Sequence, residues 1–184
     1  GSGSNKSVDP NDILSYLQKK MDNNKALGIL ANIKAESGYR PGVLITDTNN
    51  KPSGGLFQHH AERFEAMKKF VGPNWQNDWK KQVDFALQEQ EGKQYTSKQY
   101  KTEAESTGAF TRVFEKPKNV EEQVRKRVSN LPQIQSAIRS DSTTAEVPKK
   151  EPVPVTKEVP KKQNMKTSSV KNYIESVLAQ QEVC

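Results

Sequence analysis

Glu36 is the residue whose place in the chain best suits acid–base chemistry. It follows Ala26, Ile29, Leu30 and Ile33, three residues after Ile33 and seven after Ile29. On a helix it therefore stands where an apolar side chain belongs. A carboxylate on a buried stripe is costly to ionise, so its proton affinity should rise, and that state suits a general acid near neutral pH. The other reading of the same position is a glutamate at a frayed helix end, turned to solvent. Some twenty residues on, Ser53-Gly54-Gly55-Leu56-Phe57-Gln58 joins two glycines, which permit close backbone approach to a ligand, to an apolar pair and an amide. The Gln58 amide both donates and accepts hydrogen bonds, which suits a sugar or its acetamido group.

Other chemistry-bearing residues are less constrained. His59 and His60 are adjacent, so on a helix they diverge and cannot share a metal as an i, i+4 pair could. No third ligand is evident, no metal or cofactor is expected, and His60 is read as a rim residue of a cleft. Tyr39 sits in a loop setting that exposes it and is the candidate for stacking on a sugar. Phe64, Phe70, Trp75 and Trp79 are read as core.

The elements that must position these residues read as helices. Asp9 caps a first helix and Pro10 opens it, with Ile13, Leu14, Leu17 and Met21 as its apolar face. Asn24 is the expected cap of the helix that carries Glu36, and Gly38 its left-handed stop. A loop from Tyr39 to Gly55 follows, with Val43-Leu44-Ile45 as the one plausible strand. Further helices are expected from near His60, over Asn74 to Gly92, over Ala109 to Phe114, and from an Asn119 cap through Val120, Val124, Val128 and Leu131 to Ile138. The domain is expected to be mainly α.

The chain has 184 residues, 32% of them apolar, with a net charge of +7. No stretch approaches the length of a membrane span, and no apolar signal core follows the N-terminal basic residues. Cys184 is the sole cysteine, so an intramolecular disulfide or a Cys-rich metal site is excluded. Residues 1–4, Gly-Ser-Gly-Ser, resemble a linker or cloning scar, and 1–8 are set aside as a flexible N-terminus. Composition changes near residue 140. Residues 141–167 hold four prolines, no aromatic residue, and a short repeat, Glu146-Val-Pro-Lys-Lys150 and Glu158-Val-Pro-Lys-Lys162. This reads as a semi-rigid spacer. Within 168–184, Val170, Tyr173, Ile174, Val177 and Leu178 form an amphipathic helical stripe, expected to dock on a partner or to begin a further domain. Residues 1–140 carry 22 basic and 16 acidic groups, whereas 141–184 carry 7 and 6. The basic character thus belongs to the expected globular region, 9–140. That argues for a polyanionic partner, with nucleic acid, anionic lipid and bacterial wall polymers all fitting, and against a disordered nucleic-acid-binding arm.

Taken together, Ala35-Glu36-Ser37-Gly38-Tyr39 and Gly55-Leu56-Phe57-Gln58 resemble the Glu-Ser … Gly-Leu-(Met/Phe)-Gln signature shared by goose-type lysozymes and lytic transglycosylases. The wider frame is most similar to the phage tail lysozyme domain. It comprises Gly28 to Gly38, Arg63-Phe64, Trp79, Val83 to Leu87, and Phe110 to Phe114-Glu115-Lys116-Pro117. The resemblance implies a lysozyme-like helical fold over about residues 9–140, cleaving the β-1,4 glycan bond of peptidoglycan. It implies Glu36 as general acid, Gln58 with the Gly55-Leu56-Phe57 backbone as the sugar-holding run, and Ser37 as support beside the acid. It also implies a virion setting, on a phage tail, with other tail or baseplate proteins as partners of the C-terminal helix. One departure bears on mechanism: Gly54 stands where goose-type enzymes tend to carry an Asp. Asp47 is the only acidic residue between Glu36 and Gln58. It is either the base of an inverting hydrolase, which needs a second carboxylate about 6.5–9.5 Å from the acid, or an Asx-turn residue. In the second case a single-carboxylate lytic transglycosylase follows. The expectation is the muramidase-type hydrolase, because Asp47 is a carboxylate in the loop linking the acid helix to the sugar-binding run. A degenerate, structural tail protein is the reading from a different class.

Overall fold

The computed structural model describes residues 6–142, and the readings made for the spacer and the terminal helix lie outside them. The architecture is mainly helical, with one small sheet set into the loop between the second and third helices. Helix α1 (Pro10–Gln18) starts as its sequence dictates: the Asp9 side chain accepts from Asn11 N at 2.8 Å, and Pro10 fills the first turn, where no N–H is needed. Its Ile13, Leu14 and Leu17 are buried.

Helix α2 (Asn23–Ser37) is the central element, with every residue from Lys25 to Ile33 buried. Its cap is Asp22, which accepts from Lys25 N at 3.0 Å, and not Asn24. Asn24 instead donates to Tyr100 O at 3.0 Å, a tertiary contact that outcompetes the local one. Gly38 ends the helix at φ 58. Burial all round explains Gly28: a Cβ there would lie 2.6 Å from the Tyr95 hydroxyl and 2.7 Å from Ser106 Oγ. The bare backbone is what lets α6 (Glu103–Phe110) cross α2 closely.

The sheet is antiparallel, in the order β1 (Leu44–Thr46), β2 (Pro52–Gly54), β3 (His59–His60). Leu44 pairs with Gly54, and Gly54 with His59. Only β1 was expected, one residue earlier. Strands of two or three residues that contain Pro, Ser, Gly and His carry neither alternation nor β-branched enrichment, so sequence pattern does not reveal them.

Beyond the sheet, α3 (Glu62–Val71) packs on α4 (Trp79–Gln88). The helix expected over 74–92 is broken at Glu89, whose ψ of 155° starts α5 (Gln90–Thr96). Helix α6 runs straight into a π-helical turn, Thr111–Glu115, which ends at Lys116 in the left-handed region ahead of Pro117. Asn119 precedes α7 (Val120–Ser129) but makes no side-chain cap; it serves as a left-handed corner at φ 57. Helix α8 (Leu131–Ser142) is a separate helix with Pro132 in its first turn. The main core gathers α1, α2, Leu56, Phe57, Val83, Tyr95, Phe110, Phe114, Leu131 and Ile134. Phe64, Met67, Val71 and Phe85 form a second cluster, with Trp75 against it. Phe70, read as core, is 46% exposed and only edges Phe85.

Candidate active site

Glu36 lies in the last turn of α2 with its side chain 21% exposed. It faces inward, where its Oε1 accepts from Arg127 Nη2 of α7. Burial pushes its proton affinity up, and the Arg127 guanidinium pulls it back; the net direction is upward. Arg127 is itself only 4% exposed. Its Nη1 donates to Asn32 Oδ1 at 2.6 Å, one turn back along α2. Asn32 is fixed in turn, donating to Gly28 O at 2.8 Å and Thr107 O at 3.2 Å, while the Thr111 hydroxyl donates to its Oδ1 at 3.0 Å. Three elements therefore set the Glu36 carboxyl: its own helix, α7, and the α6–π-turn segment.

Glu115 closes the π-turn and stands within electrostatic reach of Glu36, Arg127, Arg63 and Glu89. The residue is partly exposed as a whole, yet its Oε1 is sealed from solvent and has no hydrogen-bond partner. Arg127 Nε is likewise buried and unpartnered. Burial first, and the Glu36 charge second, raise the proton affinity of the Glu115 carboxyl well above the ordinary range.

The loop run is built as a scaffold. Gly55 takes φ 83, its N–H donates to Val43 O at 2.9 Å, and a Cβ there would meet Gln82 Oε1 at 2.7 Å. That oxygen accepts from Leu56 N at 2.8 Å, and Gln82 Nε2 donates to Pro41 O at 3.0 Å and Trp75 O at 2.5 Å. Gln82 is fully buried and ties both ends of the loop to α4. Leu56 and Phe57 are core residues, so their side chains are not available to a sugar; only their backbone is. Gln58 is half-buried at φ 49, with its amide nitrogen donating back to Gly55 O at 2.9 Å. Gly54 has Phe64 where a side chain would go, 2.3 Å from an ideal Cβ. The aspartate of goose-type enzymes therefore has no room here.

The remaining expected residues divide. Ser37 is buried and donates to Ile33 O at 3.1 Å, a bond that secures the helix end. Tyr39 is not exposed as expected but packs partly buried on the main core, where burial raises its hydroxyl to about 12. The left-handed pair Gly38–Tyr39 folds the chain back and produces this. Asp47 sits at the β1–β2 turn, its Oδ1 accepting from Asn49 N and Lys51 N, both at 2.8 Å. Those backbone donors, Lys51 first, hold it below the usual carboxylate range. His60 is exposed, 2.9 Å from Ser53 Oγ and 3.8 Å from Asp47. Asp47 and His60 thus belong to the sheet, and their contacts do not reach Glu36. The two histidines diverge because they alternate across a strand, not around a helix. His59 is buried among Phe57, Phe85 and Phe114, with Nε2 2.8 Å from Glu89 Oε2.

Sequence reading passed over Arg127, although its signal had the same form as that of Glu36. Val120, Val124 and Val128 make the α7 stripe, and Arg127, three residues after Val124 and seven after Val120, falls on it. A glutamate on one apolar stripe and an arginine on another are a candidate buried pair. Gln82 carried the same form of signal, three residues after Trp79 and four before Ala86, whereas Glu115 interrupts no stripe.

A mainly helical domain thus carries an inward-facing glutamate of raised proton affinity at the end of its central helix. Residues 12–137 match the phage tail lysozyme family, and the chain belongs to it. The activity class is accordingly peptidoglycan cleavage by a phage enzyme. Among curated proteins and solved structures, none matches the chain. Among the described residues, no helix is long and apolar enough to cross a membrane.

Proposed function

We propose that the domain cleaves the β-1,4 glycan backbone of peptidoglycan on a phage tail, opening the wall locally, with Glu36 as general acid. The observation that carries this is the state of Glu36: desolvated enough to hold a proton, exposed enough to give one, and ion-paired so that the carboxylate left behind is stabilised. Gln58 and the Gly55–Phe57 backbone hold the sugar, Ser37 keeps the helix end in register, and His60 with Tyr39 borders the binding surface.

The occupation of Asp47 Oδ1 by two backbone N–H groups favours the single-carboxylate course over hydrolysis with Asp47 as base. Glu36 protonates the glycosidic oxygen as the C1–O bond breaks. Its carboxylate then takes the proton of the same sugar's C6 hydroxyl as that oxygen bonds to C1. The product is a 1,6-anhydro sugar, and Glu36 regains its proton. Residues 168–184 serve to anchor the enzyme to other tail proteins through the 141–167 spacer. Mass analysis of muropeptides released from purified peptidoglycan tests the chemistry. Anhydro ends are expected; reducing ends would restore the hydrolase with a second carboxylate, and no release by folded protein would mean a degenerate structural domain.

A further inference from the structure

The cluster around Glu36 contains more acid than one guanidinium can neutralise. Arg127 reaches Glu36 directly, and Glu115 lies within electrostatic reach of both. Two of the cluster's own atoms, the Glu115 Oε1 acceptor and the Arg127 Nε donor, are buried without partners, which is rare in a folded protein and calls for a reason. The surrounding charges do not supply the balance. Arg63 of α3 is committed to Glu89, at 2.9 and 3.0 Å, and Glu89 also takes His59. Glu91 of α5 is paired with Lys116 at 3.1 Å, at the end of the π-turn. Asn32, the other neighbour of Arg127, is uncharged.

We propose that Arg127 and Glu115 complete the active site as positioning residues: one buried guanidinium serves two carboxyl groups, so the cluster keeps one proton that Glu36 and Glu115 share. The two acids then titrate as a pair. With Glu115 charged, its repulsion keeps the shared proton on Glu36. Once Glu36 has given that proton to the glycosidic oxygen, Arg127 stabilises the carboxylate left behind until the proton of the C6 hydroxyl restores it. The inference rests on the reading of Glu36 as the acid.

The test is the pH–rate profile of muropeptide release from purified peptidoglycan by the full chain, whose alkaline limb reports loss of the proton on Glu36. Removing the cation in Arg127→Met should move that limb to higher pH by about one pH unit or more, with Arg127→Lys returning it towards wild type. Removing the second acid in the isosteric Glu115→Gln should move it the other way, to lower pH, and leave a single-step limb. Circular dichroism monitors folding. If Arg127→Met does not fold, Glu115→Gln and Arg127→Lys still decide. A structural role alone would change stability or the plateau rate and leave the limb in place. Limbs that stay fixed in folded variants, alongside an inactive Glu36→Gln, overturn this inference and leave the acid assignment standing. An active Glu36→Gln overturns the acid assignment itself and takes the inference with it.

Discussion

Two clusters of buried charge lie in this domain, built to opposite plans. In the first, Glu89 accepts from Nε and Nη2 on one edge of the Arg63 guanidinium and sits 2.8 Å from His59 Nε2. The Arg63 guanidinium also lies over the Phe114 ring, 4.6 Å from its centroid. Burial holds His59 neutral, below its ordinary value, and the partners of Glu89 hold its carboxylate charged. In the second cluster Arg127 bonds Glu36 and lies within electrostatic reach of Glu115, two polar atoms have no partner, and both carboxyls have their proton affinity raised above the ordinary value. The closed cluster has nothing left to give and joins α3 to the α4–α5 joint. The open one leaves a carboxyl of raised proton affinity 21% exposed to solvent. Perturbed carboxyls occur in both, so perturbation alone does not mark a site; the sign of the shift and the unmet hydrogen bonds do.

The comparison is tested most severely by Glu36→Gln. Gln keeps the shape and loses the transferable proton, so wall lysis should fall by about 10²–10⁴-fold or more while the melting transition is preserved. Turbidity clearance together with calorimetry reads both, and a folded variant that still clears walls would remove the functional meaning of the open cluster.

Glu89→Gln should give the converse result. It strips a charge from between His59 and Arg63 and should destabilise the fold by roughly 2–3 kcal/mol, less than a fully buried pair because Arg63 is partly exposed. Activity per folded molecule should be unchanged. A specific loss of kcat, with stability intact, would move this cluster into the catalytic apparatus.

Melting temperature against pH separates the clusters by sign. The native His59 binds its proton less readily than the unfolded chain, so its contribution is lost as pH falls through about 6.5; Glu89, depressed below 4.5, loses its own at still lower pH. Glu36 and Glu115 behave oppositely. Their native proton affinity exceeds the unfolded value of 4.5, so stability is present below that pH and is lost as pH rises above it. Glu115→Gln should therefore match wild type in acid and gain on it as pH rises. A variant that instead loses ground to wild type as pH rises would mean that the Glu115 proton affinity is lowered in the native state.

Asp47→Asn should have the smallest effect, because Asn can still accept from the Asn49 and Lys51 amides. Most of the lytic rate should remain. Near-complete loss, with the hairpin intact by NMR, would return Asp47 to the role of base.

Much of this was legible in the sequence, and the reason differs by residue. Asp9-Pro10 and Gly38 act locally, through cap geometry and a left-handed φ, so they read correctly in isolation. Glu36 stood out because a carboxylate broke a 3.6-residue stripe, and its inward orientation agrees with that reading. Asn24 and Asn119 misled because cap preferences are worth about 1 kcal/mol and tertiary bonds or backbone corners override them. Tyr39 was placed in solvent by its loop context, but a loop that folds back on a core buries what it carries.

The sequence by itself determined the helical class, the family, and the helix-end position of the acid, since periodicity, capping and motif order are properties of the chain read in line. Tertiary structure alone decided what surrounds that acid. Arg127 is 91 residues from Glu36 along the chain. The Phe64 ring that excludes a carboxylate at position 54 comes from the next helix. Proton affinity depends on desolvation and on charges a few ångströms away, and neither is defined until α2, α7 and the π-turn have packed together.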